Sequence, residues 1–193
     1  MSAKRVLTDR QSALPALAEA FREHGFAGAS LAVLSAATGL GKGSLYNFFP
    51  GGKQEMMEAV LKDIERWFTA AIFTPLEHVS EPRAAVTAMI DDVTTYFLSG
   101  RRVCIVGSLG LNSAGDAFAA AVKQYFARWI AALALCLERG GVPPAPALEL
   151  AEEAVSGIQG AIVLSRALGD EATFQRIVGR LRTSLLGALD RNG

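Results

Sequence analysis

Lys42-Gly-Ser-Leu-Tyr-Asn47 gathers, within six residues, the side-chain types that grip a DNA phosphate and read a base edge. A helix lying in the major groove needs short or planar side chains toward the bases and donors toward the backbone. Lys42 supplies a cation at the helix start. Gly43 removes a side chain, so the helix can approach the groove closely. Ser44 donates or accepts at a base edge or phosphate, and Asn47 is a planar donor–acceptor. Tyr46 offers a flat ring to a thymine methyl or a sugar and its hydroxyl to a phosphate. Leu45 and Phe48 are the apolar counterpart, expected to point back and hold this helix to its neighbours. Ser30 and Lys53 each stand at a predicted helix start, where free backbone N–H groups favour a phosphate.

Other chemistry finds little support. Gly39-Leu-Gly-Lys-Gly-Ser44 has the composition of a phosphate-binding loop. That loop requires Gly-x-x-x-x-Gly-Lys-Ser/Thr after a strand. Here Gly43 follows the lysine, Ala36 stands five residues before Gly41, and the preceding segment is helical. His24 and His78 lack local ligand spacing, and Cys104 and Cys136 have no Cys-x-x-Cys partner, so no metal site or disulfide framework follows. Cys104, close in sequence to Arg101 and Arg102, is a candidate redox thiol. No paired carboxylates and no nucleophile–base set stand out. The chain is read as a non-enzyme without cofactor.

The elements that must carry these residues are all helical. Thr8 and Gln11 form a capping-box pattern before Leu14, Leu17, Ala18 and Phe21 at helical spacing. His24-Gly25 ends that helix. Ser30 caps a second, Leu31 to Ala37, and Gly39 opens a turn into a third, Lys42 to Phe49, which Pro50-Gly51-Gly52 stops. A glycine-containing turn between two short helices is a helix-turn-helix. A fourth helix runs from Lys53 to about Phe73, with Thr74-Pro75 as the next break. Further helices are expected over Glu81 to Leu98, Ser108 to Asn112, Asp116 to Arg139, Pro146 to Leu168 and Asp170 to Leu189. The fold class is all-α: a three-helix DNA-binding domain over residues 1–52 and a larger helical domain over 53–193, to which the resemblance described next assigns ligand binding and dimerisation.

The N-terminal third resembles the TetR family of transcriptional regulators. The likeness rests on Gly25-Phe26, Ser30, Thr38-Gly39-Leu40, Lys42 to Phe49, and Lys53. Phe49-Pro-Gly-Gly-Lys53 resembles a branch that includes multidrug-resistance regulators, as do Cys104-x-x-Gly107, Ile158-Gln-Gly-Ala161 and Arg166-Ala-Leu-Gly-Asp170. Gly41 departs from the serine frequent before the recognition helix, which removes one phosphate contact and leaves an acceptable N-cap. The resemblance implies a homodimer on double-stranded operator DNA, a small-molecule effector, and a fourth helix that links the two parts.

For the C-terminal body, the resemblance places an effector pocket among Trp67, Met89, Val93, Phe97, Phe126 and Trp129, with Asn112 and Gln159 as its polar residues. It also implies that the last two helices pair across a two-fold axis. Their apolar stripe at three-to-four spacing, Val155, Ile158 and Ile162 on one and Ile177, Leu181 and Leu185 on the other, fits that role.

With 193 residues, 51% hydrophobic and no net charge, the chain has ample material for a core and no bulk attraction to nucleic acid. The charge is uneven: the first 53 residues carry an excess of three positive charges. No signal segment and no uninterrupted apolar run of about 18 residues is present, so a cytoplasmic protein without a membrane partner is expected. The expected function is a TetR-type repressor that binds a palindromic operator and is released by an apolar ligand. The alternative is a small-molecule-binding protein on the same scaffold without specific DNA binding.

Overall fold

The computed structural model describes residues 9–78, 80–111 and 113–192, and every element among them is helical. The order is α1 (Arg10–Gly28), α2 (Leu31–Thr38), α3 (Lys42–Phe48), α4 (Gly52–Phe68), α5 (Thr74–His78), α6 (Pro82–Tyr96), α7 (Ile105–Leu109), α8 (Ala119–Arg139), α9 (Pro144–Leu168) and α10 (Glu171–Asn192).

Local sequence explains most of the boundaries. Asp9, rather than Thr8, caps α1: its carboxylate accepts from Ser12 N at 2.7 Å, and Ser12 Oγ accepts from Asp9 N in return. Thr8 itself lies outside the described residues. Gln11, expected to complete the cap, instead donates to Asp63 on α4. Gly25 breaks α1 at φ 65°, a conformation costly for any residue with a Cβ. Gly169, also left-handed, ends α9, and the Asp170 carboxylate then accepts from Ala172 N and Thr173 Oγ1 to start α10.

Three expectations change. The fourth helix does not stop at Thr74-Pro75. It widens into a π-helical turn over Thr69–Phe73 and continues as α5. The wider turn absorbs the proline, whose ring would clash with the carbonyl four residues back and which has no N–H to donate. The short helix foreseen over Ser108 to Asn112 is α7, three residues earlier, because Cys104 acts as its cap, with Sγ accepting from Gly107 N at 3.3 Å. The helix expected from Asp116 is preceded by a 3₁₀ segment, Ser113–Phe118, so α8 begins at Ala119.

The core is one continuous cluster. Ala13, Leu17 and Phe21 of α1 meet Met56, Met57 and Val60 of α4, and the same cluster runs on through Phe68, Met89, Trp129 and Ile158. In the C-terminal body α9 packs most extensively on α8 and α10. A Cβ on Gly157 would come within 2.9 Å of Leu181 Cδ1, so this glycine sets the close approach of α9 and α10. Helix α8, with the 3₁₀ turn before it, is long and apolar enough to cross a membrane by length and composition, yet Tyr125, Trp129, Leu133 and Leu137 turn inward. Arg128 on the same helix forms a two-bond ion pair with Glu77 of α5.

Candidate nucleic-acid interface

The turn between α2 and α3 is held from several sides. Gly39 takes φ 71°. Thr38 Oγ1 donates to Leu34 O at 2.7 Å and accepts from Leu40 N, while Ser35 Oγ donates to Leu40 O. The small polar residues at 35 and 38 therefore satisfy backbone groups that the reversal would otherwise leave open. Ser30 caps α2, its hydroxyl accepting from Val33 N at 3.3 Å.

Helix α3 divides as its sequence requires. Leu45 is fully buried, Phe48 is half-buried against the core, and Phe49 just past the helix end is fully buried. Lys42, Gly43, Ser44, Tyr46 and Asn47 are all exposed. Lys42 has no ion-pair partner among the described residues. Tyr46 is 46% exposed, a high value for so large a ring. Its edge rests beside Gly52: a Cβ there would stand 3.6 Å from Cε1. The α3 face thus carries a cation, a hydroxyl, a phenol and a carboxamide, with an open backbone at Gly43 where an added Cβ would meet nothing within 4 Å.

Residues outside this face fix its orientation. Lys53 Nζ donates to Phe26 O at 2.8 Å and to Ala27 O at 3.4 Å, and sits 4.6 Å from the centre of the Phe26 ring. Its ammonium is thus engaged inside the domain and ties the start of α4 to the end of α1. Glu55 reaches back to Gly51 N at 2.7 Å and pairs with Arg10, whose guanidinium stacks over Phe49. Sequence reading missed Arg10 and Glu55, because the pair joins helices 45 positions apart.

The sequence around this face and the fold that carries it have relatives among known transcriptional regulators. Residues 14–60 match the family described as bacterial regulatory proteins, tetR family, and residues 82–180 match the LmrA/YxaF-like transcriptional regulator C-terminal domain. An uncharacterized HTH-type transcriptional regulator of Mycobacterium tuberculosis is 32% identical over 182 residues, covering 87% of this chain and 89% of its own.

The chain belongs to the TetR family.

The HTH-type transcriptional regulator LmrA of Bacillus subtilis is 23% identical over 160 residues, covering 81% of this chain and 85% of its own. Among solved structures, a TetR transcriptional regulator from Legionella pneumophila superimposes with a TM-score of 0.80 at 18% identity, over 93% of this chain and 98% of that one. A cysteine mutant of the TetR family regulator CifR, complexed with 26 bp double-strand operator DNA, superimposes at 0.71 with 23% identity, over 93% and 98%. These likenesses show the shared TetR fold.

In the C-terminal body the residues expected to form an effector pocket are placed in different surroundings. A cavity of about 510 Å³ lies between α7, α8 and α9, and of the expected residues that the structure describes, Phe126 and Gln159 line it. Met89, Val93, Phe97 and Trp129 are at most 1% exposed, packed as core. Trp67 stacks on Tyr96 with ring centres 4.4 Å apart. Asn112 lies outside the described residues. The cavity is lined instead by residues that include Cys104, Gly107, Val122 and Ile162. Cys104 and Gly107 were conspicuous in the sequence as a pair, which was the available signal. The Cys104 thiol is buried, and burial pushes it above its ordinary range, opposite to what a redox-sensing thiolate needs. A second cavity of about 310 Å³ lies between α4 and α8, lined by Leu61, Phe118 and Tyr125 with Glu58, Lys62 and Glu65 around it.

The apolar stripe expected at a subunit contact lies largely inside the single chain. Val155, Ile158, Ile162, Leu181 and Leu185 are at most 8% exposed within the single chain, and Ile177 is half-buried. They form the internal seam of the α8–α10 bundle. The outer face of α9 instead exposes Val163 at 58%, Leu164 at 46% and Leu168 at 66%.

The two parts of the chain meet in a polar clamp that sequence reading did not foresee. Glu19 Oε1 on α1 accepts from Arg22 at 2.7 Å and from Arg102 at 2.9 Å. Arg22 also donates to the Tyr96 hydroxyl, and Arg102 to the Tyr96 carbonyl at 3.1 Å. The adjoining link between α6 and α7 holds Leu98 and Ser99 at φ 49° and 53°, a conformation unfavourable for residues with a side chain.

Proposed function

We propose that this TetR-family regulator is a homodimeric repressor, located in the cytoplasm, that binds a palindromic operator and leaves it when a small apolar molecule enters the C-terminal body. The observation that carries the DNA reading is the division of α3, with Leu45 buried while Lys42, Ser44, Tyr46 and Asn47 stand free in solvent. Ser30 at the α2 cap and Gly43 on the open backbone complete the set of contacts. Lys53, with two backbone carbonyls already on its ammonium, contributes chiefly by positioning α1 against α4. The domain division at residue 52 separates the reading part from the sensing part in function, although their core is continuous.

Dimerisation uses the outer face of α9, where Val163, Leu164 and Leu168 present exposed apolar surface. Two copies related by a two-fold axis would offer two α3 helices to successive major grooves, and a palindrome is the matching target. An effector shifts the population toward a state whose α3 spacing no longer fits the half-sites. The Glu19–Arg102 clamp joins the sensing part to α1 directly, alongside α4.

The test is genome-wide DNA-affinity sequencing with the purified protein and with Tyr46→Ala. A palindromic site enriched by the first and lost in the second is the expected result. A folded dimer that enriches no site would overturn the DNA reading and favour a small-molecule-binding protein on the same scaffold.

A further inference from the structure

The cavity between α7, α8 and α9 has an unusual lining. None of its described lining residues is Asp, Glu, Lys, Arg or His. Apart from Ser108 and the neutral Cys104 thiol, the one polar side chain among the described lining residues is Gln159. The Gln159 Nε2 atom is shielded from solvent and has no oxygen or nitrogen acceptor among the described residues, its carboxamide lying beside the Cys104 thiol. A buried amide N–H without an acceptor is costly, and the nearby Cys104 sulfur is at best a weak one. The carboxamide cannot swing away toward α7, because its oxygen already lies against Gly107: a Cβ there would come within 2.6 Å of Oε1. A glycine at 107 leaves the amide room to lie against the helix. The groove next to the cavity shares Phe126 and Gln159 and carries Glu149, Glu152 and Glu153, which further disfavours an anion.

We infer that this cavity holds a neutral, largely apolar small molecule whose one essential polar feature is a hydrogen-bond acceptor, such as a ketone carbonyl, received by Gln159 Nε2. This rests on the reading of the C-terminal body as the effector-binding part. A charged ligand would have to lose its hydration with no counter-charge in the lining. A hydrocarbon of the same shape would leave the amide unpaired.

Benzophenone and diphenylmethane test this, since they share two rings and differ in the carbonyl. Binding is followed by tryptophan fluorescence and by calorimetry. Benzophenone also photo-crosslinks, so peptide mapping reports where it sits. We expect benzophenone to bind at least tenfold more tightly than diphenylmethane and to label residues of this cavity, such as Val122, Phe126 or Ile162. 4-Benzoylbenzoate and (4-benzoylbenzyl)trimethylammonium should both bind more weakly. Gln159→Leu should bring the two neutral probes to equal affinity. The wild-type comparison decides the matter even if that variant folds poorly.

Equal binding of the neutral pair, preference for either ion, labelling of the cavity between α4 and α8, or no benzophenone binding would each overturn the inference. Operator binding is measured separately. Loss of the carbonyl preference with operator binding intact removes this inference alone. A carbonyl-selective cavity in a protein that binds no operator removes the regulator reading alone.

Discussion

Arg102 Nη2 and Glu19 Oε1 stand 2.9 Å apart and join the link between α6 and α7 to the helix that supports the DNA-reading face. The same carboxylate oxygen also receives Arg22, so one acid holds two guanidinium groups. The Arg22 side chain is 9% exposed and that of Arg102 29% exposed, whereas Glu19 is 57% exposed. Glu19 is thus the outer member of a clamp whose cations lie deeper than their anion. Arg102 is followed directly by Val103 and Cys104, which line the apolar cavity, so the clamp on α1 and the cavity lining are adjacent in the chain.

Removing Glu19 leaves two neighbouring cations without their shared anion. Glu19→Ala is expected to destabilise the fold by about 1 kcal/mol, the value discounted for the exposure of the carboxylate. Glu23→Ala, one turn away at an exposed position, should change stability by less than about 0.5 kcal/mol. Denaturant unfolding of the two variants checks the difference, and equal values would show that the clamp carries no net energy.

The glycines at 39 and 43 should fail in different ways. Gly39 takes φ 71°, and Gly39→Ala is expected to cost about 1–2 kcal/mol of stability. Gly43 lies in helical backbone with open space around it. Gly43→Ala should hold or raise stability, by up to about 1 kcal/mol, yet weaken operator binding by crowding the groove. Thermal unfolding with operator titration separates the two, and a Gly43→Ala protein with full operator affinity would remove that residue from the interface.

Lys42 and Tyr46 should lose DNA affinity without losing stability. Lys42→Ala is expected to weaken binding to all sequences and lower the salt slope by about 1. Tyr46→Ala should cost about 1–3 kcal/mol of binding to the operator. Leu45→Ala should instead destabilise the domain by about 2–5 kcal/mol, since that side chain is fully buried. An operator titration at several salt concentrations distinguishes the first two, and an unchanged salt slope for Lys42→Ala would argue against a phosphate contact.

The pairing of Arg128 with Glu77 predicts an acid limit. Hydrogen bonds from the guanidinium hold the Glu77 carboxyl below its ordinary value near 4.5. Its contribution is fully present above that value and is lost as pH falls through the lowered one. Glu77→Gln should therefore cost about 1 kcal/mol at neutral pH and flatten the fall in stability below about pH 4.5. Asp170, also held low by Thr173 and Arg176, leaves a residual slope. Urea unfolding between pH 3 and 7 measures it, and identical slopes in the two proteins would contradict the assignment.

The subunit contact is testable by size. Leu164→Glu, on the exposed face of α9, is expected to give a folded monomer by light scattering. Leu181→Ala, in the internal seam, should destabilise the chain by about 2–5 kcal/mol. A Leu164→Glu protein that remains a dimer would move the contact elsewhere.

Much of the reading domain was legible in the sequence because its determinants are local. Gly25, Ser30, Gly39 and the Pro50-Gly51-Gly52 stop act on backbone groups within four residues, and the alternation of Leu45 and Phe48 with Lys42, Ser44 and Asn47 assigns the two faces of a single short helix. The rest depended on which neighbour each apolar face met. Ile158, Ile162 and Leu181 have the same spacing whether they face a partner or their own bundle, and only the placement of α8 and α6 put them inside. Met89 and Trp129 likewise fill space that could have been a cavity, while an empty volume lies between α7, α8 and α9, beside the Gln159 amide that Gly107 makes room for. Lys53 reads as a free cation until Phe26 and Ala27, 27 and 26 positions away, bring their carbonyls to it. Periodicity reports that a helix has an apolar face; the packing of distant helices decides what that face covers and where the voids remain.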